Sequence, residues 1–222
     1  MGKTLSSITP LALASFTTMK VGGVPKSIIR CETTKELYEA ALAALDSEDK
    51  FQILAGGSNT VFADDVSDLN IILVANTGIQ VLEENQTEIE LRVQAGENWD
   101  EFVAWCVERG YAGIEAMSGI PGSVGATPVQ NVGAYGQEVS QTITSIEFLD
   151  FETHSVDLKP ASFFDFSYRN SALKGQLRGV IGFVDFKLQK LGGQSVPMAS
   201  GQITNHVKAP YGSQLPLTKV RE

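Results

Sequence analysis

Glycines carry the plainest chemical potential in this chain. Ala55-Gly56-Gly57-Ser58-Asn59-Thr60 follows the strand-like Phe51 to Leu54, which places two glycines and then hydroxyl and amide side chains at a strand exit. Glycines there allow close backbone approach, and successive N–H groups can form an anion-binding nest for a pyrophosphate, with Ser58, Asn59 and Thr60 adding donors. The same composition makes an ordinary tight turn, and this segment alone does not choose between the two. A second run, Gly119-Ile120-Pro121-Gly122-Ser123-Val124-Gly125-Ala126, continues through Gly133 to Gly136 and is too glycine-rich for long regular structure. Its spacing departs from the Rossmann G-x-G-x-x-G fingerprint, and no complete P-loop occurs, so an NAD-type Rossmann site is disfavoured. Two glycine loops in an acidic chain suit a long, phosphorylated ligand lying between two domains and held largely by backbone donors. His154 and His206 have no partners at metal-ligand spacing and support no Ser-His-Asp arrangement, so neither a metal site nor hydrolysis is expected.

The elements that must position these loops are legible in outline. Thr33 and Glu36 form a capping box ahead of a helix with Leu37, Ala41, Leu42 and Leu45 at helical spacing. This helix joins extended segments at Lys26 to Cys31 and Phe51 to Leu54, and a third, Leu69 to Val74, is rich in β-branched residues. The β-α-β order predicts a small α/β unit over residues 1–77. Glu88 to Gln94 alternates apolar and polar residues as a half-buried strand. Asn98 then caps a helix whose apolar face holds Trp99, Phe102, Val103, Cys106 and Val107, and Gly110 ends it. Strands at Thr144 to Asp150, Ser155 to Leu158 and Val180 to Leu188 complete an α+β unit over residues 78–190. Residues 191–222 predict a connecting segment and the opening turn of a helix capped by Thr218, where an isolated turn is unstable, so a truncated chain is expected.

Composition bounds the partners. The 222 residues are 43% hydrophobic, enough for a real core, and 17 Lys+Arg against 26 Asp+Glu give a net charge of -9. That sign disfavours nucleic acid and anionic membranes. Cys31 and Cys106 are too few for a disulfide framework, and the N-terminal segment has no apolar run long enough for a signal peptide or a membrane span, so a cytoplasmic protein is expected. Met1-Gly2 with Ser6 fits the bare myristoylation pattern and Asn85-Gln86-Thr87 the glycosylation pattern; both are short enough to arise by chance.

Four blocks make a more specific case: AGGSN at 55–59, AGENW at 95–99, GIPGSVGATPVQNVGAYG at 119–136 and FSYRNS at 166–171. Their order and intervals resemble the UDP-N-acetylenolpyruvoylglucosamine reductase family, and the similarity runs from about Phe16 to Leu188. The resemblance implies an α+β, two-subdomain FAD-binding fold of the vanillyl-alcohol oxidase and p-cresol methylhydroxylase type. It also implies non-covalent FAD, NADPH as co-substrate and a UDP-sugar substrate of peptidoglycan precursor synthesis. Carried over by position, Gly56, Gly57, Ser58 and Asn59, with Thr60 beside them, match the loop for the FAD pyrophosphate. Ile120, Pro121, Gly122, Ser123, Gly125 and Ala126 match the second flavin-contacting loop.

Tyr168 and Arg169 match the family's active-site pair. The arginine resembles the group that neutralises the substrate carboxylate and developing enolate, work for which a permanently charged planar fork is suited. Family members continue into a third domain with a Gly-Ser-Phe-Phe-type motif whose serine resembles the proton donor, and with a late glutamate; this chain has neither. It is therefore expected to be the flavin-binding portion, and a monomer. The alternatives are an FAD-dependent oxidase of the same fold or a catalytically inactive flavin-binding module.

Overall fold

The computed structural model describes residues 7–47 and 49–222; Met1, Gly2 and Ser6 of the myristoylation pattern lie outside them. The N-terminal part is built from β1 (Ser7–Ile8), β2 (Ser27–Cys31), α1 (Thr34–Asp46), β3 (Lys50–Leu54) and β4 (Leu69–Val74). Their sheet has the order β1-β2-β4-β3, with β4 parallel to both β2 and β3 and β1 antiparallel at the edge. Thr33 caps α1 by accepting from the Glu36 N–H at 3.1 Å, while the Glu36 carboxylate accepts from the Glu32 N–H at 2.9 Å. Strand β4 is buried on both faces, as parallel strands are: Ile71 and Leu73 join a small cluster with Leu13, Ile28 and Leu54, whereas Ile72 and Val74 join the main core.

The rest of the chain forms β5 (Ile79–Glu84), β6 (Glu88–Gln94), α2 (Trp99–Glu108), β7 (Tyr111–Ala112), β8 (Gly133–Ala134), β9 (Gln137–Glu138), β10 (Ile143–Asp150), β11 (Val156–Pro160) and β12 (Gly179–Lys190). An antiparallel sheet runs β11-β10-β12-β6-β5, with β7 also paired to β12, and β8 with β9 makes a separate hairpin. Asn98 caps α2 through the Glu101 N–H at 3.1 Å, and all five apolar residues assigned to its inner face are buried. In the β5–β6 turn, the Asn85 side chain accepts from the Thr87 and Glu88 N–H groups at 2.8 and 2.9 Å, so Asn85 acts as a turn former.

Residues from both parts share the main core, in which Leu37, Ala41 and Val74 join Trp99, Phe102, Phe148 and Phe186. Asn76, 1% exposed, fastens the junction: its amide donates to Thr34 Oγ1, Gln94 Oε1 and the Gly182 carbonyl at 3.0, 3.0 and 2.8 Å. Cys31 and Cys106 are fully buried, and burial pushes the Cys31 thiol up to about 11, with the Glu36 carboxylate adding to it. Burial also raises the Cys106 thiol well above its ordinary value, so both thiols stay protonated and pack as small hydrophobes.

Besides the two-residue strands β1, β7, β8 and β9, further features depart from the sequence expectation. Edge strand β5 was not expected, and residues 191–222 hold a short helix, α3 (Gly201–His206), before α4 (Leu217–Arg221). Thr218 is not a cap: Pro216 holds that position, because Leu217 is buried and its N–H donates to the Gly193 carbonyl at 3.0 Å. Among the described residues no helix is long and apolar enough to cross a membrane.

Candidate functional site

The first glycine loop leaves the end of β3, where the parallel strands of the N-terminal sheet finish, and the second begins at the 3-10 turn Glu115–Met117 beyond α2. They meet. A Cβ added to Gly56 would stand 2.9 Å from the carbonyl carbon and Cα of Gly122 and 3.2 Å from the Ser123 nitrogen. Such distances fall inside van der Waals contact with backbone, so only glycine allows this approach. Gly57 is glycine for a different reason. Its φ is +60°, and a Cβ there would collide with the Phe16 carbonyl oxygen. Gly125 is pressed equally hard, since its Cβ would lie 2.6 Å from that of Ala95 in the AGENW block.

Two cavities flank the first loop and share Ala55, Gly56 and Val74 in their walls. One, of about 330 Å³, takes Gly57, Ser58, Asn59 and Thr60 together with Gly125 and Ala126, and has an apolar end formed by Phe148, Leu173, Leu177 and Ile181. The other, of about 410 Å³, takes Thr17, Thr18 and Gly96 and carries two cations, Lys20 and Arg30. Each volume lies within the range of small-molecule sites. A dinucleotide with a phosphorylated middle and aromatic ends fits this arrangement of a central backbone nest between two compartments. Ser123, whose backbone nitrogen lies where the two loops touch, is 4% exposed, and its Oγ has no hydrogen-bond partner; the residue lines neither cavity. Buried hydroxyls are seldom left so. Ile120 is half-buried against the core and Pro121 exposed, and neither lines the two cavities.

Tyr168 and Arg169 stand elsewhere. Ser167 and Asn170 exchange backbone hydrogen bonds at 3.0 and 3.1 Å, which puts Tyr168 and Arg169 at the tip of a tight turn. Both are exposed and line a third cavity of about 500 Å³ with Tyr135, Glu138 and Gln141 of the β8–β9 region. Gly133 and Gly136, at the far end of the second glycine run, line it too, whereas none of Gly56 to Thr60 or Gly119 to Ala126 does, and short bonds tie the turn to the segment between them. Asn131 Nδ2 donates to the Ser167 carbonyl at 3.0 Å, and Ser171 Oγ to the Val129 carbonyl at 2.9 Å. Val129 in turn lines the apolar cavity.

Among the described residues no side-chain partner holds the Arg169 guanidinium, and its backbone has φ +53°. The left-handed region costs a non-glycine residue on the order of 1–3 kcal/mol, and Arg169 is one of seven described non-glycine residues with positive φ. Arg169→Gly is therefore expected to change the unfolding free energy by less than about 1 kcal/mol, relief of φ offsetting the added freedom of the unfolded chain. A loss well beyond that in denaturant melts would show Arg169 to be a structural residue.

Several lining residues escaped the sequence argument. Lys20 and Arg30 lie 10 residues apart in an acidic chain, and only the fold sets them in one cavity. Phe148, Leu173, Leu177 and Ile181 look in the sequence like any core positions. His154 and His206 are exposed, in the β10–β11 turn and at the end of α3. No cluster of three or more His, Cys, Asp or Glu among the described residues could hold a metal ion.

Residues 25–157 match the family model described as FAD binding domain. The chain is 40% identical over 219 residues to the UDP-N-acetylenolpyruvoylglucosamine reductase of Leifsonia xyli subsp. xyli, covering 96% of this chain and 58% of that protein. It is 42% identical over 212 residues to the protein of the same name from Mycobacterium sp. (strain MCS), again covering 96% and 58%. It thus spans a little over half the length of these relatives. Among solved structures, the UDP-N-acetylenolpyruvylglucosamine reductase of Thermus caldophilus superposes with a TM-score of 0.63 at 24% identity, over 84% of this chain and 62% of that one. Cholesterol oxidase of B. sterolicum superposes with a TM-score of 0.56 at 13% identity, over 84% of this chain and 37% of that one, a likeness of fold alone.

Proposed function

The chain belongs to the family of FAD binding domains, and on that premise we propose that it is the flavin-holding portion of a UDP-N-acetylenolpyruvoylglucosamine reductase. The activity proposed for the whole protein is NADPH-dependent reduction of enolpyruvyl-UDP-N-acetylglucosamine to UDP-N-acetylmuramate, in the cytoplasm and by a monomer. The observation that carries the reading is the contact of Gly56 with Gly122 and Ser123 between two cavities, which makes a backbone cradle with one unsatisfied hydroxyl. The working division places the first FAD-binding subdomain at residues 1–77, the second at 78–190, and at 191–222 the start of a substrate-binding region.

Within this reading, N–H groups of Gly56, Gly57, Ser58 and Asn59 hold the pyrophosphate, with Thr60 at the rim. Gly125 and Ala126 would wall the other side, Gly122 and Ser123 meet Gly56 where the loops touch, and Ile120 and Pro121 complete the same loop away from the two cavities. Lys20 and Arg30 offset its negative charge. When bound, FAD supplies the hydride chemistry. Arg169 would bind the substrate carboxylate and stabilise the charge that develops as hydride adds to the double bond, without giving up a proton itself; the proton for the neighbouring carbon would come from another group. Tyr168 flanks it at the tip of the same turn.

Titration of the purified chain with FAD tests this directly. One FAD per chain is expected, released by acid because it is not covalently held, and anaerobic NADPH is expected to bleach the blue absorption band. A chain that takes up no FAD would overturn the reading. Bound flavin indifferent to NADPH, but reduced by an alcohol or phenol with oxygen consumption, would point to an oxidase.

A further inference from the structure

Helix α4 and the second glycine loop share one carboxylate. Asp100, in the first turn of α2, accepts the Gly119 N–H at 2.6 Å and Arg221 Nη1 at 2.7 Å on Oδ1, and Arg221 Nη2 at 2.9 Å on Oδ2. The Arg221 guanidinium first, and the Gly119 N–H after it, hold the Asp100 carboxyl below its ordinary value against the opposing effect of burial. Bidentate arginine pairs of this kind fix the carboxylate plane and position at once. The loop has other ties to the start of α2, from the Trp99 N–H to the Gly122 carbonyl at 3.1 Å and from the Val124 N–H to the Glu97 carbonyl at 2.9 Å. Those are backbone to backbone. Asp100 acts through its side chain, as Trp99 Nε1 does on the Met117 carbonyl at 3.0 Å, but the Asp100 side chain is the one gripped by α4.

Helix α4 is in turn seated on α2, with Leu217 2% exposed. Glu115, buried in the 3-10 turn just before the loop, accepts the Val196 N–H at 3.0 Å and so anchors the other stem of the C-terminal excursion.

We propose that Asp100 is a positioning residue: it sets the near end of the second glycine loop and, through Arg221, makes the cofactor cradle depend on the docking of α4. The inference rests on the FAD reading above for the identity of the ligand, but not for the coupling itself. Without Arg221, the carboxylate can turn toward water and hold Gly119 less well. Without the carboxylate, both contacts go. Asparagine at 100 keeps an oxygen for Gly119 and loses the charge.

Four variants of the 222-residue chain separate these effects: Arg221→Met, Asp100→Asn, Asp100→Ala, and the exchange Asp100→Arg with Arg221→Asp. FAD dissociation constants and hydrogen exchange at the Gly119 amide of the ligand-free chain are the two measurements. Arg221→Met should weaken FAD binding by about two- to fivefold, the range of a half-exposed ion pair. Asp100→Ala should weaken it by about tenfold or more, since a hydrogen bond to a charged group is also lost. Asp100→Asn should fall between them, and Gly119 exchange should rise in the same order. The exchange variant restores attraction between α2 and α4 but offers Gly119 no acceptor, so it should remain as weak as Asp100→Ala. Recovery of FAD affinity in the exchange variant, or unchanged Gly119 exchange in Asp100→Ala, would overturn the proposal. If the parent chain binds no FAD, the cofactor reading fails, while the order of Gly119 exchange still decides the coupling.

Discussion

Gly56→Ala is expected to weaken FAD binding by about ten- to a hundredfold while the ligand-free chain melts at nearly the same temperature. The added methyl would stand 2.9 Å from two backbone atoms of Gly122, and neither loop can rotate a side chain out of the way. Wedging packed backbone apart typically costs about 1–3 kcal/mol, and each 1.4 kcal/mol is about tenfold in affinity. Gly56 is itself exposed and its φ is not positive, so the ligand-free chain can absorb the methyl by opening the cradle slightly. The cofactor needs it closed. Fluorescence titration of FAD against parent and variant gives the ratio. Equal affinities would mean that the meeting of the loops does not form the site. Gly57→Val is expected to behave differently: its side chain would strike the Phe16 carbonyl, so folding should suffer along with binding.

Trp99→Ala should produce the largest loss of stability, about 3–5 kcal/mol by the usual cost of emptying a large aromatic site. The indole is fully buried, packs against Phe102 and Phe186 at ring distances of 5.9 and 6.2 Å, and donates from Nε1 to the Met117 carbonyl at 3.0 Å. That carbonyl lies two residues before Gly119, and the Trp99 N–H itself holds the Gly122 carbonyl. The residue therefore supports both the core and the floor of the second loop. At roughly 2–4 °C per kcal/mol for a chain of this size, the melting temperature should drop by about 6–20 °C. Trp99→Phe keeps most of the packing but not the donor, and should lie well above Trp99→Ala. A drop of only a degree or two in Trp99→Ala would show that the α2 face is not the centre of the core.

What the sequence determined by itself was whatever is encoded locally. The caps at Thr33 and Asn98 were legible because the side chain and the N–H it satisfies are three residues apart, and the buried face of α2 because helical spacing brings its apolar residues together. Alternation found β6, and the two glycine loops announced themselves by composition. Strand β5 was not legible: five of its six residues are exposed, a bulge interrupts it between Val81 and Glu83, and it exists because β6 offers it an edge. Thr218 failed as a cap because the burial of Leu217 and its bond to Gly193 fixed the helix start instead. Tertiary structure alone decided that Gly56 would face Gly122, that Lys20 and Arg30 would share a cavity, and that Asp100 would serve Gly119 and Arg221 together. These contacts join residues far apart in the chain, where no periodicity or capping pattern records them. The folded sheets and the core between them supply the register that brings each pair together.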